Sequence, residues 1–159
     1  MIIDSTLEYK TVSECAPGDL VRLRDKIAIV LDQYKNRTRI GLLNPKCAVM
    51  IVPDNTQCIS YGDNWILSTA AGKETYPKNG NYAEESGCII LDARGMLLVF
   101  GPSASLESEG LAFDLRKKSV VASPGYESAP ILNWKIWESQ ANRDRGEPAM
   151  IEFSHAPAS

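Results

Sequence analysis

The strongest constraint on the fold is a correspondence between the two halves of the chain, seen when the sequence is shifted so that Gly18 falls on Gly87. We call this shift the half-chain offset; without a gap, it also brings Trp65 onto Trp134. Further coincidences are Val30 with Val99, Gly41 with Gly110, Leu42 with Leu111, Asn64 with Asn133, and the apolar run 27–31 with 96–100. A small β-barrel typically has glycines at the starts of apolar strands, and each half also has a Trp near its end. We therefore expect one barrel in each half.

Each half contains about 70 residues, a size at which one hydrophobic core gives only marginal stability. We therefore expect the two units to pack against each other. The segment 69–86 is rich in Gly, Lys, Glu and Asn and is interpreted as the linker. The expected division is a first barrel at 1–68, the linker at 69–86, and a second barrel with a C-terminal strand at 87–159.

Short apolar runs separated by Gly, Pro and Asn predict strands along the whole chain, and hence an all-β fold. A lead-in strand is expected within 7–12, a helical turn at 13–16 and a loop at 142–147. The other expected strands are 18–24, 27–31 (running on to 34 in a longer version), 38–43, 47–52, 87–91, 96–100, 110–115, 119–122, 131–137 and 149–153. The segment 58–67 is expected to complete the first half, with a bend at 62–63.

The segment 17–23 (PGDLVRL) resembles the opening of many SH3-like small barrels, in which a Pro-Gly-Asp turn precedes an apolar strand. The corresponding segment of the second half, 85–88 (ESGC), departs from this motif. The resemblance implies two tandem SH3-like barrels packed together. SH3-like barrels include peptide-binding, RNA-binding, chromatin-binding and structural members, so the resemblance implies a binding module more than an enzyme.

The composition limits the kinds of partner and the location of the chain. A net charge of −3 lacks the strongly basic balance of a general nucleic-acid binder. No apolar run approaches the ~20 residues of a membrane span, and the N-terminus has neither a basic nor an apolar region of a signal peptide. We therefore expect a cytoplasmic protein whose cysteines are thiols.

The residues that usually carry catalysis form no known pattern. The single histidine, His155, lies close to the C-terminus, and none of the four cysteines are spaced as C-x₂-C. Phosphate-binding and dinucleotide-binding glycine motifs are missing from the sequence. We therefore expect no catalytic residue, metal or cofactor. The cysteines are expected to fill the core, and Cys47 and Cys58 could lie near each other. The alternative is an enzyme that uses carboxylates or Cys88.

One basic cluster suggests a binding surface in the first half. It contains Arg22, Arg24, Lys35, Arg37 and Arg39, with Tyr34 available to stack on a base. We expect the first strand and the hairpin near residue 36 to lie close together, which would unite these side chains. An ordinary charged surface is the alternative interpretation.

The aromatic residues suggest a second kind of site. Trp65 and Trp134 occupy the same place in both halves and are expected in the core. Trp137 has the opposite strand phase to Trp134, so it is the first candidate for a protein contact, followed by Tyr126. The expected function is a non-enzymatic binding or structural module that contacts another protein or associates with itself. The alternative is a nucleic-acid-binding module that uses the basic cluster.

Overall fold

The computed structural model describes residues 7–69, 86–102, 110–121 and 129–154, and they form mostly antiparallel β-structure. The first half contributes β1 (Glu8–Thr11), β2 (Leu20–Leu23), β3 (Lys26–Tyr34), β4 (Arg37–Leu42), β5 (Ala48–Pro53), β6 (Gln57–Gly62) and β7 (Ile66–Thr69). The second half contributes β8 (Ile89–Asp92), β9 (Gly95–Phe100), β10 (Leu111–Asp114), β11 (Ser119–Val121), β12 (Ala129–Ile131), β13 (Asn133–Trp137) and β14 (Ile151–Ser154). The all-β prediction is confirmed. The expected linker lies, except for its ends, outside the described residues.

Two short helical segments interrupt the strands. A 3₁₀ turn at Val12–Glu14 follows β1, where the sequence predicts a helical turn. The α-helix α1 (Gln140–Asp144) follows β13, where the sequence predicts a loop that overlaps it, so that prediction is wrong for these residues. The helix forms because the Ser139 hydroxyl accepts a hydrogen bond from the Asn142 N–H at 3.2 Å and so caps its first turn.

The strands of the described residues form three antiparallel sheets. The first has the order β1-β6-β2-β3-β4-β5, and the second has the order β11-β10-β9-β8-β12. The third, β14-β13-β7, joins the end of the first half to the second half. Within it Leu67 pairs with Ile136, and these two residues are themselves related by the half-chain offset. The pairing of β7 with β13 is therefore centred on positions that correspond in the two halves.

The first sheet is strongly curled. In a flat sheet β5 and β6 would lie four strand spacings apart, about 19 Å. Only the three residues 54–56 connect them, and such a segment spans at most ~15 Å. The two ends of the sheet therefore approach each other. Consistent with this curl, Val52 of β5 and Cys58 of β6 belong to one buried cluster on the concave face.

The main hydrophobic core combines residues of both halves. It is built from Leu20, Ile27, Ile29, Leu31, Leu43, Cys47, Val49, Ile89, Leu98, Phe100, Phe113, Trp134, Ile136 and Ile151. Because strand residues alternate between faces, the opposite face of the first sheet carries a separate core. That core contains Val12, Cys15, Val21, Ala28, Val30, Ile40, Val52 and Cys58. Each half thus depends on apolar contacts supplied by the other.

The glycines that open the two halves have the same backbone geometry. Gly18 and Gly87 both have φ = +92°, a conformation that favours glycine. The Gly18 N–H donates to the Val30 carbonyl at 2.8 Å, and the Gly87 N–H donates to the Val99 carbonyl at 2.7 Å. These hydrogen bonds recur at the half-chain offset, as does the register of the hairpins that follow.

The two aligned tryptophans also make matching contacts. Trp65 Nε1 donates to the Gly18 carbonyl at 2.9 Å, and Trp134 Nε1 donates to the Gly87 carbonyl at 2.7 Å. The core position expected for Trp134 is confirmed, since 1% of it is exposed. Trp65 is only half-buried and packs against the edge of the main core.

The correspondence at the half-chain offset ends after the second strand of each half. Ile29 pairs with Gly41, whereas Leu98 pairs with Phe113 rather than with Gly110. The coincidence of Gly41 with Gly110 is therefore not preserved in the strand register. Gly41 instead has a packing role, because a Cβ at this position would overlap the ring of Phe100. The two halves meet closely at this point.

Candidate functional site

The basic residues selected from the sequence lie in two separate places. Arg22 pairs with Ile27 near one end of β3, while Tyr34 pairs with Arg37 at the other end. The seven-residue step from Ile27 to Tyr34 spans about 23 Å in an extended strand. The expectation of one united basic patch is therefore wrong, because β3 continues to Tyr34 and carries the hairpin away from β2.

The first place is the hairpin depression, which has a volume of about 630 Å³. Its described lining consists of Tyr34, Lys35, Arg37, Arg39 and Ile51. The hairpin turns at Lys35 and Asn36, where both φ angles are positive, at 45° and 60°. Two positive φ angles in a two-residue turn match the right-handed twist of the flanking strands. The turn projects these basic and aromatic side chains beyond the core.

Several side chains that line the hairpin depression contact other residues of the protein. Arg39 binds Asp32 through two hydrogen bonds, one of them from Nε to Oδ1 at 2.6 Å. The hydrogen bond to Asp32 raises the pKa of Arg39, which stays charged but largely neutralised. Lys35 Nζ lies 5.1 Å from the ring centroid of Tyr34, whose exposed fraction is 63%. Lys35 and Arg37 are both exposed and carry positive charge at the solvent side of the depression.

The second place is the seam groove, whose lining includes residues of β1 and β5, the two end strands of the curled first sheet, together with residues of β2, β4 and β6. It has a volume of about 790 Å³. Its lining is Tyr9, Leu23, Ile40, Leu42, Met50, Val52, Thr56, Gln57, Cys58 and Ile59, with Arg22, Arg24, Asp25 and Lys26 along one rim. The seam groove therefore has an apolar floor and a charged border.

Exposed apolar side chains and open strand edges meet at the seam groove. Tyr9 is 74% exposed and Met50 is 37% exposed, whereas Ile40 at the floor is fully buried. Within the described residues, β1 pairs with β6 alone. Over the same ranges, β5 pairs with β4 and otherwise makes a single β-bridge, between Ala48 and Gly101. Edges of this kind present main-chain groups to a further extended segment.

The rim of the seam groove is positively charged. Arg22, Arg24 and Lys26 outnumber Asp25 there, and Arg24 has φ = +56° in the turn between β2 and β3. Arg22 also borders a smaller pocket that contains Tyr61. Burial raises the pKa of Tyr61, and the charge of Arg22 partly opposes this shift. Two neighbouring strands and the turn between them thus place three cations at the border of an apolar groove.

Trp137 has the strand phase expected from the sequence but makes internal contacts. It is half-buried, and its Nε1 donates to the Glu147 carbonyl at 2.9 Å. The Arg143 guanidinium lies 5.7 Å from its ring centroid. The indole therefore holds the α1 segment against β13, and its role in a protein contact stays a prediction. Tyr126, the second candidate, lies outside the described residues.

The four cysteines are buried and form no disulfide, which agrees with their expected role as core residues. Burial, with a smaller contribution from nearby Cys88, raises the pKa of Cys47 to about 12. Cys58 lies in the core of the concave face, with its Sγ 3.8 Å from Cys15 Sγ. The expected proximity of Cys47 and Cys58 is wrong, because these residues belong to different cores.

Neither a metal-holding cluster nor a membrane-spanning helix occurs in the described ranges. In residues 7–69, 86–102, 110–121 and 129–154, no three His, Cys, Asp or Glu side chains gather where they could hold a metal ion. His155 lies outside these ranges. Among the same residues, no helix has the length and apolar character needed to cross a bilayer.

Comparison with known proteins gives no relative from which a function could be transferred. No protein-family model matches the chain, and neither a curated protein nor a solved structure shows significant similarity to it.

Proposed function

We propose that this chain is a non-enzymatic binding module of two SH3-like units whose seam groove holds an extended, acidic peptide segment of another protein. The observation that carries this function is the seam groove, which combines an apolar floor and a positive rim with residues of the two end strands, β1 and β5. Peptide recognition by small β-domains commonly uses such a groove beside a sheet edge.

The floor of the seam groove supplies the apolar contacts. Met50 and Tyr9 are the exposed apolar side chains there, and half-buried Leu23 and Leu42 lie between them and the core. Removing such side chains from water stabilises a complex by about 25 cal/mol per Å² of apolar area. An apolar residue of the peptide would seat against Met50 and Leu42.

The open edges supply main-chain hydrogen bonds. A peptide that added to β1 or β5 would continue the antiparallel pattern of the first sheet. Alternate side chains of an added strand point to opposite faces, so every second residue would enter the groove. Main-chain pairing would give affinity, and the groove would select the side chains.

The positively charged rim favours peptides that carry negative charge. Arg22, Arg24 and Lys26 face one acidic residue, Asp25, along the groove border. Exposed pairs with an acidic peptide are weak individually, and salt screens them. They favour acidic over basic sequences and accelerate association.

The second half has no such rim at the corresponding positions. The half-chain offset relates Arg22, Arg24 and Lys26 to Leu91, Ala93 and Gly95. The hydrogen bonds shared by the two halves support a common scaffold, while this difference supports peptide binding by the first unit. We assign to the second unit the role of supporting the first through the main core.

A displayed library of ten-residue peptides, selected against the full chain, tests this function. We expect selected peptides to share acidic residues flanking an apolar one, and fluorescence polarisation to show binding that weakens as salt rises. Met50→Glu should weaken that binding at least tenfold. Leu91→Glu is the matched control, because Leu91 is 39% exposed and Met50 is 37% exposed. Equal effects of the two substitutions, or selected peptides without acidic residues, would refute the proposed function.

The hairpin depression supports nucleic-acid binding as a second candidate function. The specific observation is that Tyr34, 63% exposed, lies beside Lys35 and Arg37 in one concave surface. Aromatic stacking with neighbouring cations suits single-stranded nucleic acid. Anisotropy of a labelled oligonucleotide should show binding that Arg37→Glu weakens and Lys117→Glu, an exposed control on another turn, does not. Absence of binding at low salt would exclude this candidate.

A further inference from the structure

Two cysteines distant in sequence have their sulfur atoms in contact inside the core of the concave face. Cys15 Sγ and Cys58 Sγ are 3.8 Å apart, and the residues are separated by 43 positions. Cys15 follows the 3₁₀ turn, and Cys58 lies on β6. The contact therefore joins the segment that follows β1 to β6, the strand with which β1 pairs.

We propose that Cys15 and Cys58 form a reversible disulfide, which makes this pair a redox modification site of the chain. The sulfur atoms must approach by about 1.8 Å to reach the length of a disulfide bond. Side-chain rotation supplies most of this movement, since the thiols already touch. The inference is independent of the peptide-binding function.

The location of Cys15 gives the oxidant a route to a buried thiol. Cys15 and Cys58 are only 4% and 2% exposed, so a reagent must meet them during local opening. Within the described residues, the segment before Cys15 is held by β6 and by contacts such as Val12 N–H to the Thr56 carbonyl at 2.9 Å. An edge strand that pairs on one side opens at lower cost than core strands. Fraying of β1 and the 3₁₀ turn would expose Cys15 first.

The chemistry is a thiol–disulfide exchange with a small disulfide such as oxidised glutathione. The Cys15 thiolate attacks one sulfur of glutathione disulfide, which releases one glutathione thiolate and forms a mixed disulfide. The Cys58 thiolate then attacks the Cys15 sulfur and releases the second glutathione. Two electrons pass from the protein to glutathione disulfide, and the two thiol protons end on the two glutathione molecules. Burial raises the pKa of both thiols, so the exchange should accelerate with rising pH.

The experiment uses the full chain, incubated with oxidised glutathione at pH 8.5, alkylated with iodoacetamide and digested without reductant. Mass spectrometry should identify one linked peptide pair, Cys15 with Cys58, and dithiothreitol should reverse it. Closing a 43-residue loop should raise the melting temperature by about 5–10 °C. The same linkage should form in Cys47→Ser and be missing in Cys15→Ser, with circular dichroism used to confirm that both variants fold.

The alternative outcomes are distinguishable from one another and from those of the peptide-binding test. A Cys15–Cys58 link that appears only in urea would overturn the assignment, because it would require unfolding rather than native contact. Glutathione adducts or links at Cys47 or Cys88 alone would also overturn it. Because the wild-type chain itself gives the decisive peptide map, the result does not depend on any variant folding.

Discussion

The contact of Gly41 with Phe100 gives the sharpest test of the shared core. Gly41 lies on β4 of the first half, and Phe100 ends β9 of the second half. Replacing Gly41 by Ala would place a Cβ 2.8 Å from Cε2 of Phe100 and closer still to two other ring carbons. Carbon atoms in contact prefer ~3.5–4.0 Å, so the ring would have to move. Phe100 is fully buried, so any movement of its ring must displace neighbouring core atoms or leave a cavity.

The magnitude follows from two opposing effects. Overpacking a filled core costs about 1–3 kcal/mol, and overlap with three ring atoms places Gly41→Ala near 3 kcal/mol. Alanine restricts the unfolded chain more than glycine does, and this effect offsets about 0.5–1 kcal/mol of the lost stability. The free energy of unfolding should therefore fall by about 2 kcal/mol, equivalent to a melting temperature lower by ~4–8 °C.

The measurement is urea unfolding of Gly41→Ala, Phe100→Leu and the double variant. If the ring causes the clash, the double variant should be at least ~1 kcal/mol more stable than the sum of the single effects predicts. Gly62→Ala is the control: it has φ = +70° and open space around the new Cβ, so it should cost ~1 kcal/mol and add independently to Phe100→Leu. A Gly41→Ala variant as stable as the wild type, or additivity within about 0.5 kcal/mol, would refute the packing of the two halves at this contact.

Three further predictions concern buried polar and ionisable groups. Trp134→Phe leaves the buried carbonyl of Gly87 without its donor, so the free energy of unfolding in urea should fall by ~2–3 kcal/mol. Trp65 is half-buried and water can replace its indole N–H, so Trp65→Phe should lower the free energy of unfolding by only ~1 kcal/mol. Asp114→Ala removes the acceptor of two backbone N–H groups in the following turn, both at 2.9 Å, and should cost ~2 kcal/mol; Asp114→Asn should cost less because it keeps one acceptor oxygen. Because the pKa of Cys47 is about 12 in the fold and 9.0 ordinarily, its contribution to stability is complete below pH 9 and is lost as the pH rises toward 12. The melting temperature should fall over this range, and Cys47→Ala should flatten the decline; an unchanged slope would contradict the shift.

The strands could be predicted from the sequence because their signals are local. Alternation of apolar residues and punctuation by Gly and Pro located most strands close to their observed bounds. The glycine at position 18 was informative for the same reason, since its positive φ is a local backbone requirement. The helix α1 was missed because five residues carry too little periodicity, and its cap at Ser139 resembles an ordinary loop serine.

The sites could not be predicted because they depend on long-range geometry. Whether Arg22 meets Arg37 depends on how far β3 runs before it turns, and the sequence permits an end at Leu31 or at Tyr34. The seam groove exists because a three-residue connection forces the first sheet to curl, which no single strand reveals. The contact of Cys15 with Cys58 likewise spans 43 residues and follows from the pairing of β1 with β6.

The contacts that recur between the halves and the surfaces that differ lie in different parts of the molecule. The recurring contacts, such as Trp65 with Gly18 and Trp134 with Gly87, fix the orientation of strands. Arg22 on the groove rim faces solvent, and its counterpart is the uncharged Leu91. Surface substitutions away from packing contacts cost little stability, so one half can acquire a charged rim while the scaffold stays intact. A binding role assigned to the first half therefore requires no change in the contacts that hold the two halves together.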